Sequence, residues 1–249
     1  SLLARLLPLI VCFLLLWVLP LRSLLCYLEN LNKSITIVDT SLIENHNSHN
    51  SPLPICDYVR LFSSPLDKGL YVGCGNGRNA FPLLSEGWNL YACDVSNFNI
   101  QRAQKYLPQY ADRFEALSYD QAFSYILEFD YVICSRALVY GSFEESLQRF
   151  KILRRRLRPS GILLFQLPAI GTDLWPKWVN YAITEMGSLI VRYNLHSPSK
   201  VYLSFTDVCD LLERAGFKIC NGPTPYDLPR GEYPGGIVRN WLGVAINNN

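Results

Sequence analysis

The sequence predicts an α/β fold, with a mostly parallel, doubly wound sheet that carries helices on both faces. Two observations support this class. Short apolar strands alternate with helical segments over residues 67–220, which is typical of βαβ units. A glycine-rich turn also follows the first strand, and a second apolar run ends at Asp94. A strand, a glycine turn, a helix and a second strand ending in a carboxylate together indicate a site for an adenosine-bearing cofactor.

The turn contains three alternating glycines, Gly73, Gly75 and Gly77. Without Cβ atoms the backbone can bend sharply and approach a ligand closely. Asp94 follows at the distance along the chain where an acid commonly accepts hydrogen bonds from ribose hydroxyls. The nicotinamide fingerprint requires a glycine three positions after its second glycine, and Arg78 occupies that position. The spacing therefore disfavours a nicotinamide oxidoreductase.

The glycine spacing resembles motif I of the class I S-adenosylmethionine-dependent methyltransferases. Four further segments resemble this family in the expected order: the second strand with its acid (89–96), the fourth strand (128–135), a helix-to-strand corner (153–164) and a late helix ending in Ala-Gly-Phe (211–217). The resemblance implies a Rossmann-like sheet of seven strands, in the order 3-2-1-4-5-7-6 with the last strand antiparallel, and S-adenosyl-L-methionine as cofactor. It assigns cofactor binding to Gly73, Cys74, Gly75, Gly77, Asn79, Asp94, Val95, Asp120 and Ser135.

Two details of the resemblance bear on function. Residues 78–80 resemble the turn of small-molecule methyltransferases of the tellurite- and thiopurine-resistance kind and of some quinone-ring methyltransferases, which favours a small or lipophilic acceptor. The chain departs from the family at Tyr71, where relatives usually carry an acid that helps to hold the cofactor's ammonium group. A non-catalytic binding protein on this fold is therefore an alternative. For Asp120, the alternative to adenine contact is a cap of the following turn.

The candidate catalytic residues Ser135, Arg136 and Tyr140 follow the fourth strand, where the family usually places reacting or substrate-facing groups. Arg136 cannot accept a proton at neutral pH, so it would orient an anionic acceptor. Tyr140 could relay a proton or stack on an aromatic acceptor, and the catalytic base stays unassigned. The aromatic-rich insertion at 171–200 is predicted to be a substrate lid, because ligands of such folds bind beyond the carboxyl ends of the strands.

The composition suits one α/β domain with an appendage, since the chain has 249 residues, 49% of them hydrophobic, and a net charge of +2. This charge gives no sign of a global adaptation to polyanions. The basic run from Arg149 to Arg158 is predicted to close a surface helix that begins with a capping box at Ser142–Glu145. The alternative is an RNA patch, and hence a tRNA or protein methyltransferase, but nucleic acid is the less favoured partner.

Eight cysteines occur without a Cys-x-x-Cys pair. Cys74 lies in the glycine turn, and Cys93, Cys134 and Cys220 fall within or at the ends of predicted strands. These positions favour small buried thiols over disulfides. The globular part is therefore expected in a reducing compartment. Structural zinc is not expected, and no metal site is predicted.

The amino-terminal segment is predicted to be separate from the globular domain. The run Leu6–Leu21 is uncharged, almost wholly apolar and flanked by Arg5 and Arg22. A helix of this length covers roughly 24 Å, so it must continue to Leu28 to span a hydrocarbon core of about 30 Å. We predict a single-pass membrane anchor with a cytosol-facing catalytic domain. A signal or transit peptide and a buried helix are the alternatives.

The predicted organisation is an anchor at 1–28, a polar linker at 29–54 and a methyltransferase domain at 55–249. The other predicted elements follow from periodicity, caps and breakers. They are a short helix at 56–63, a helix at 97–106 capped by Ser96, a strand at 113–117, a strand at 161–167, a helix at 206–215 stopped by Gly216, a strand at 217–220, a long loop at 221–236 and a last strand at 239–247 beside the fifth.

Overall fold

The computed structural model describes residues 53–174, 177–230 and 235–248. The predicted membrane anchor and nearly all of the predicted polar linker lie outside these residues. Within the described ranges, no helix has both the length and the apolar character that a membrane span requires.

The described chain forms five helices of the α type and ten strands. In chain order these are α1 (Ile55–Phe62), β1 (Gly69–Val72), α2 (Ala80–Ser85), β2 (Leu90–Cys93), α3 (Asn97–Tyr106), a 3₁₀ segment (Pro108–Arg113), β3 (Phe114–Glu115), β4 (Phe129–Ser135), α4 (Phe143–Arg154), β5 (Leu157–Pro168), β6 (Asn180–Ile183), β7 (Leu189–Arg192), β8 (Lys200–Tyr202), α5 (Phe205–Arg214), β9 (Phe217–Pro229) and β10 (Ile237–Asn247).

Seven strands form one sheet in the order β3-β2-β1-β4-β5-β10-β9. Strand β1 pairs in parallel with β2 and β4, and β4 pairs in parallel with β5. Strand β10 is antiparallel to both of its neighbours, β5 and β9. Counted within this sheet, the order is 3-2-1-4-5-7-6, and the predicted topology is confirmed.

Helices cover both faces of the sheet because strand side chains alternate between the two sides. On β5, Leu163 and Phe165 belong to one apolar cluster with helices α4 and α5, whereas Leu164 belongs to the other cluster with α1, α2 and α3. Burying each such side chain contributes about 1.5–3 kcal/mol before entropy is subtracted. The doubly wound arrangement is therefore built into the apolar pattern of the strands.

Three predicted helix boundaries are confirmed by hydrogen bonds or backbone angles. The Ser96 hydroxyl accepts from the Asn99 N–H at 3.3 Å at the start of α3. Both reciprocal bonds of the Ser142–Glu145 capping box are present at the start of α4. Gly216 follows α5 with φ of +90°, a conformation that an L side chain rarely adopts.

Some predicted bounds were wrong. The third strand is only Phe114–Glu115, because the 3₁₀ segment takes Arg113 and the chain bends at residues 116–117. The predicted loop at 221–236 is largely strand, since β9 continues through Pro229 opposite β10. Strand β9 lies at the edge of the sheet and pairs only with β10, so a proline there can leave its missing N–H on the unpaired side.

The cysteine prediction holds for three of its four positions. Cys74, Cys93 and Cys134 are buried, and burial raises the pKa of Cys93 and of Cys134 to about 12. Cys220 is exposed instead, because it lies on the edge strand β9. No disulfide joins the six cysteines in the part of the chain that the structure describes.

Strands β6, β7 and β8 form a three-stranded antiparallel sheet, called here the small sheet. It occupies most of the predicted lid at 171–200 and ends two residues beyond it. The small sheet is bonded to the segment that follows β4: the Val201 N–H donates to the Val139 carbonyl at 3.1 Å, and the Gly141 N–H donates to the Ser199 carbonyl at 2.7 Å. The insertion therefore lies at the carboxyl end of β4.

Candidate cofactor and acceptor site

The glycine bend, residues 73–77, follows β1 with three backbone angles that glycine favours. The φ angles of Gly73, Gly75 and Gly77 are +65°, +56° and +86°. A Cβ atom on Gly73 would lie 2.7 Å from the Ala137 Cβ, and one on Gly77 would lie 2.4 Å from the Phe81 ring. At Gly75 no described atom beyond its two chain neighbours lies within 4 Å of that position. The bend thus packs tightly at both ends and is open at its centre, as close ligand approach requires.

Asp94 lies at the end of β2 and bonds directly to this bend. One carboxylate oxygen accepts from the Gly75 N–H at 2.8 Å, and the other accepts from the Ser96 N–H at 2.8 Å. Each carboxylate oxygen has a second lone pair. The carboxylate can therefore receive two hydroxyl groups of a sugar while it keeps both backbone bonds. The neighbouring Val95 is 79% exposed, an apolar surface beside the acid.

Two of the predicted cofactor residues are already bonded within the protein. Asn79 is buried, and its amide donates to the Tyr71 hydroxyl at 2.6 Å and accepts from the Leu53 N–H at 2.8 Å. The exposed Asp120 carboxylate accepts from the Ser118 hydroxyl two residues earlier. The nitrogen and the oxygen of the Asn79 amide are both bonded within the protein, which gives Asn79 a local structural role. The exposed Asp120 carboxylate can accept further hydrogen bonds, so its contact with adenine stays a prediction.

Tyr71, which stands where the resembled family usually has an acid, is a buried core residue. It is only 3% exposed, and burial raises the pKa of its hydroxyl. Its partner Asn79 also holds the chain just before α1 through Leu53. The tyrosine therefore joins the first strand to the segment that leads into α1.

The end of β4 places polar groups at the same edge of the sheet as the glycine bend. The buried Ser135 hydroxyl donates to the Gln166 side-chain carbonyl on β5 at 3.3 Å. Gln166 is fully buried, and its side-chain nitrogen has no hydrogen-bond partner among the described residues. The next residue, Arg136, has φ of +57°, which costs energy for a residue with a Cβ and occurs often at functional sites.

Tyr140 follows on the segment that pairs with the small sheet. Its side chain is 39% exposed, and its carbonyl accepts from the Arg149 guanidinium. Burial raises the pKa of the Tyr140 hydroxyl, whereas the charge of Arg136 acts in the opposite direction. The hydroxyl is therefore protonated at neutral pH and can donate a hydrogen bond there. The structure thus brings Ser135, Arg136 and Tyr140 to one end of β4, as predicted.

Gln166 and Lys200 are residues of this edge that sequence reasoning missed. A signal for Gln166 existed, because it is a polar residue inside the otherwise apolar run of β5, and buried polar groups are uncommon. Lys200 had no comparable signal, since it follows a polar loop. Lys200 lies beside Tyr140 because β8 pairs with the residues after β4.

The basic run contributes mainly to intramolecular contacts. Arg149 bonds the carbonyl of Tyr140, and the buried Arg156 donates to carbonyls of the loop between β3 and β4. Arg158 pairs with Asp130 at 2.6 Å. These contacts support the interpretation of the run as part of the protein's own surface and core. Over the described residues, no group of three or more His, Cys, Asp or Glu side chains could hold a metal ion.

Comparison with known proteins agrees with this geometry. Residues 70–163 match the family described as a methyltransferase domain. Among solved structures, an S-adenosylmethionine-dependent methyltransferase from Methanosarcina mazei is 15% identical with a TM-score of 0.60, covering 79% of this chain and 98% of that one. A search of curated protein sequences gave no significant match.

Two other solved structures were determined with S-adenosylhomocysteine bound. The 1,6-didemethyltoxoflavin-N1-methyltransferase of Burkholderia thailandensis is 15% identical with a TM-score of 0.58, covering 79% of this chain and 77% of that one. Magnesium protoporphyrin IX methyltransferase of Synechocystis PCC 6803 is 17% identical with a TM-score of 0.54, covering 78% and 80%. Residues 70–163 thus match a methyltransferase domain, and the described chain has the class I fold, in which S-adenosylmethionine is the methyl donor. At the level of domain and fold, the predicted enzyme class and cofactor are confirmed.

Proposed function

We propose that the protein transfers the methyl group of S-adenosylmethionine to a small-molecule acceptor. The acceptor would bind between the carboxyl ends of β4 and β5 and the small sheet. The observation that carries this proposal is the bond from the Gly75 N–H to Asp94 at the open centre of the glycine bend. This bond holds the Asp94 carboxylate beside backbone that a ligand can approach, which supports its assignment to the ribose.

The proposed cofactor contacts follow from that arrangement. Asp94 would accept the ribose hydroxyls, and Val95 would present its exposed side chain to the adenine. The backbone of Gly73–Gly77 would lie along the methionine part. Asn79 would act indirectly, by holding the segments around the site, because both polar atoms of its side chain are bonded within the protein. Asp120, an exposed carboxylate with accepting capacity beyond its bond to Ser118, would contact the adenine.

Methyl transfer needs little from the protein beyond the correct position of the acceptor. When bound, the cofactor supplies a sulfonium methyl group that is already activated, since the departing thioether is neutral. Holding an acceptor in line with such a group can contribute several kcal/mol. At the end of β4, Tyr140 can donate a hydrogen bond to the acceptor, and Arg136 can orient a negative group. The Ser135 hydroxyl, which donates to Gln166, can accept a hydrogen bond. With its pKa raised, Tyr140 would act through its proton and not as a base at neutral pH.

A small acceptor is favoured over RNA. The two neighbours solved with S-adenosylhomocysteine are named for small molecules, a toxoflavin precursor and a magnesium porphyrin. Three arginines of the run that raised the RNA alternative, Arg149, Arg156 and Arg158, bond carbonyls and an acid of the protein itself. The predicted lid at 171–200 would cover the acceptor with the small sheet.

The experiment is to incubate the purified 249-residue chain with methyl-labelled S-adenosylmethionine and a metabolite extract. We expect label to appear in low-molecular-weight products. Label confined to RNA or protein would contradict the small-molecule acceptor. Calorimetric titration with S-adenosylhomocysteine checks the cofactor separately, and no binding at hundreds of micromolar would defeat the proposal as a whole.

We also retain as a proposal that Leu6–Leu21 tethers a cytosol-facing domain to a membrane. Its support is the uncharged, apolar run between Arg5 and Arg22. Extraction of cell membranes with alkaline carbonate tests it. We expect the chain to stay in the membrane pellet and a variant lacking residues 6–21 to leave it. Release of the unaltered chain would contradict the tether.

A further inference from the structure

Cationic side chains collect on the acceptor side of the site. Arg136 follows β4, Lys200 begins β8, and Arg230 follows β9. Burial, together with the charges of Arg136 and Arg230, lowers the pKa of Lys200 to about 8. The charge of Arg136 also acts on Tyr140 and Tyr202. Arg136 is therefore close to several groups of the small sheet and of the segment after β4.

Backbone contacts fix this cluster in place. Lys200 forms a β-bridge with Tyr140, and its ammonium nitrogen lies 5.2 Å from the centre of the Tyr202 ring. The Tyr202 hydroxyl is in turn bonded to the Tyr193 hydroxyl at 2.6 Å. Arg136 is held by its own N–H, which donates to the Gln166 carbonyl at 2.6 Å. Two cations are thus positioned by separate strands that meet at the carboxyl end of β4.

Neither Arg136 nor Lys200 forms an ion pair with a carboxylate in the described part of the chain. Other arginines do so at short distances, as in the pairs Arg158–Asp130 at 2.6 Å and Arg239–Asp227 at 2.7 Å. Bringing partly buried like charges together is unfavourable unless an anion balances them. The left-handed backbone of Arg136 adds a second local cost. Costs of this kind are typical of binding sites.

We propose that Arg136 and Lys200 together bind an anionic group of the methyl acceptor, a carboxylate or a phosphate. This inference rests on the proposed function, because it assigns the chemical class of the acceptor at the same site. The arginine would provide a planar, two-pronged contact, and the lysine a point charge from the opposite strand. Tyr140 and Tyr202 would line the space between them.

A competing source of negative charge is the carboxylate of the cofactor's methionine part. Arg78 follows the glycine bend directly, so it is a candidate partner for that carboxylate. Burial lowers the pKa of Arg78, and nearby Arg136 adds to this effect. The test must therefore be made with the cofactor position filled, so that only a second anion is measured.

The experiment uses the 249-residue chain saturated with S-adenosylhomocysteine and ligand-observed NMR at constant ionic strength. The probes are benzoate, phenyl phosphate and the neutral benzamide. We expect at least one anion to bind about tenfold or more tightly than benzamide, as loss of one charged hydrogen bond implies. The preferred anion then distinguishes a carboxylate from a phosphate. If neither anion binds more tightly than benzamide, the proposal is overturned.

Substitutions test whether Arg136 and Lys200 cause the preference for an anion. Arg136→Gln and Lys200→Met are each expected to weaken the anion about tenfold and to leave benzamide and S-adenosylhomocysteine affinity within a factor of about two. Arg102→Gln and Lys218→Met are the matched controls, because both side chains are exposed on other surfaces. Retained S-adenosylhomocysteine affinity reports that each variant is folded. Weaker S-adenosylhomocysteine binding with unchanged anion binding would overturn the proposal and point to the cofactor's carboxylate.

A pH series tests whether the charge of Lys200 binds the anion or whether the residue has only a structural role. The charged groups that act on it are Arg136 and Arg230, and its neighbours Tyr140 and Tyr202 carry the nearby titratable hydroxyls. Because Lys200 loses its charge as pH rises through its pKa of about 8, anion binding should weaken between pH 7 and 9.5. In Lys200→Arg the charge persists, so this weakening should largely disappear. An identical pH profile in the wild type and in Lys200→Arg would contradict the role of Lys200.

The two proposals can fail separately. Absence of S-adenosylhomocysteine binding by the wild type defeats the proposed function, and the anion measurements are then repeated without it. Normal S-adenosylhomocysteine binding with no preference for anions defeats only the assignment of an anionic acceptor.

Discussion

Asp94 bonds the glycine bend through one carboxylate oxygen and the start of α3 through the other. Replacing it with Asn removes the charge that would accept the ribose hydroxyls. We expect Asp94→Asn to weaken S-adenosylhomocysteine binding roughly 10- to 100-fold, as loss of charged hydrogen bonds implies. Calorimetry measures this directly. Glu128→Gln, an exposed carboxyl change before β4, serves as the control, and equal affinities in the two variants would contradict the assignment of Asp94.

Tyr71 has a structural role in this account. Tyr71→Phe would leave the Asn79 amide nitrogen without its partner in a buried site. We expect a loss of about 1–2 kcal/mol in the free energy of unfolding, with S-adenosylhomocysteine affinity unchanged within a few-fold. Urea denaturation and calorimetry measure the two effects. Tyr125→Phe, at an exposed ring, is the control, and lost affinity without lost stability would show that the hydroxyl serves the cofactor instead.

At the residue scale, the type and chain position of each candidate site residue were more predictable than its contacts. Gly75 and Asp94 could be found from spacing alone, because the backbone requirement is local. The bonds of Asn79 to Tyr71 and Leu53 could not, since they join segments whose separation depends on packing. The position of Lys200 near Arg136 could not be predicted either, since it depends on the pairing of β8 with the residues after β4.

Among the elements, β4 is tied to its neighbours by Asp130 near its start. The carboxylate accepts from the Lys68 N–H before β1 at 2.8 Å and from Arg158 on β5 at 2.6 Å. Burial alone would raise the pKa of Asp130, but these bonds outweigh it and lower the pKa. A lowered folded-state pKa adds stability above the unfolded value of about 3.9, and this stability is lost as pH falls.

The consequence is a pH-dependent effect of Asp130→Asn. We expect it to cost about 1 kcal/mol at pH 7, a modest value because both partners are partly exposed. The difference from the wild type should shrink as pH falls below about 4 and vanish near pH 2 to 3. Urea denaturation at these pH values measures it, with Asp112→Asn, at a largely exposed carboxyl, as the control. A difference that stays constant with pH would contradict the charged interaction.

Elements with local signals were predictable, and elements set by pairing were not. Strand β4, the capping box of α4 and the glycine after α5 each depend on neighbouring residues and agree with the structure. The prolines and glycines beyond residue 220 resemble turn signals and predict a loop there. The segment becomes strand β9 through long-range pairing with β10. Strand β3 is shorter than its sequence predicts, because Arg113 belongs to the 3₁₀ segment and the chain bends at residues 116–117.

For the whole molecule, the cofactor site connects β1, β2 and α3, so ligand binding should stabilise the described domain as a unit. Near a hundredfold excess over its Kd, S-adenosylhomocysteine should add about 2.7 kcal/mol to the free energy of unfolding. This corresponds to a rise of roughly 5–10 °C in Tm for a domain of this size. Differential scanning calorimetry measures it. NAD at the same concentration should leave Tm unchanged, and an equal rise with NAD would contradict the cofactor assignment.

The most direct test is a crystal structure of the chain with S-adenosylhomocysteine. It should show the ribose hydroxyls within hydrogen-bond distance of the Asp94 carboxylate and the thioether chain along Gly73–Gly77, with the open side of Gly75 against the ligand. Electron density for the ligand at any other part of the chain, or none at this edge after saturation, would contradict the account.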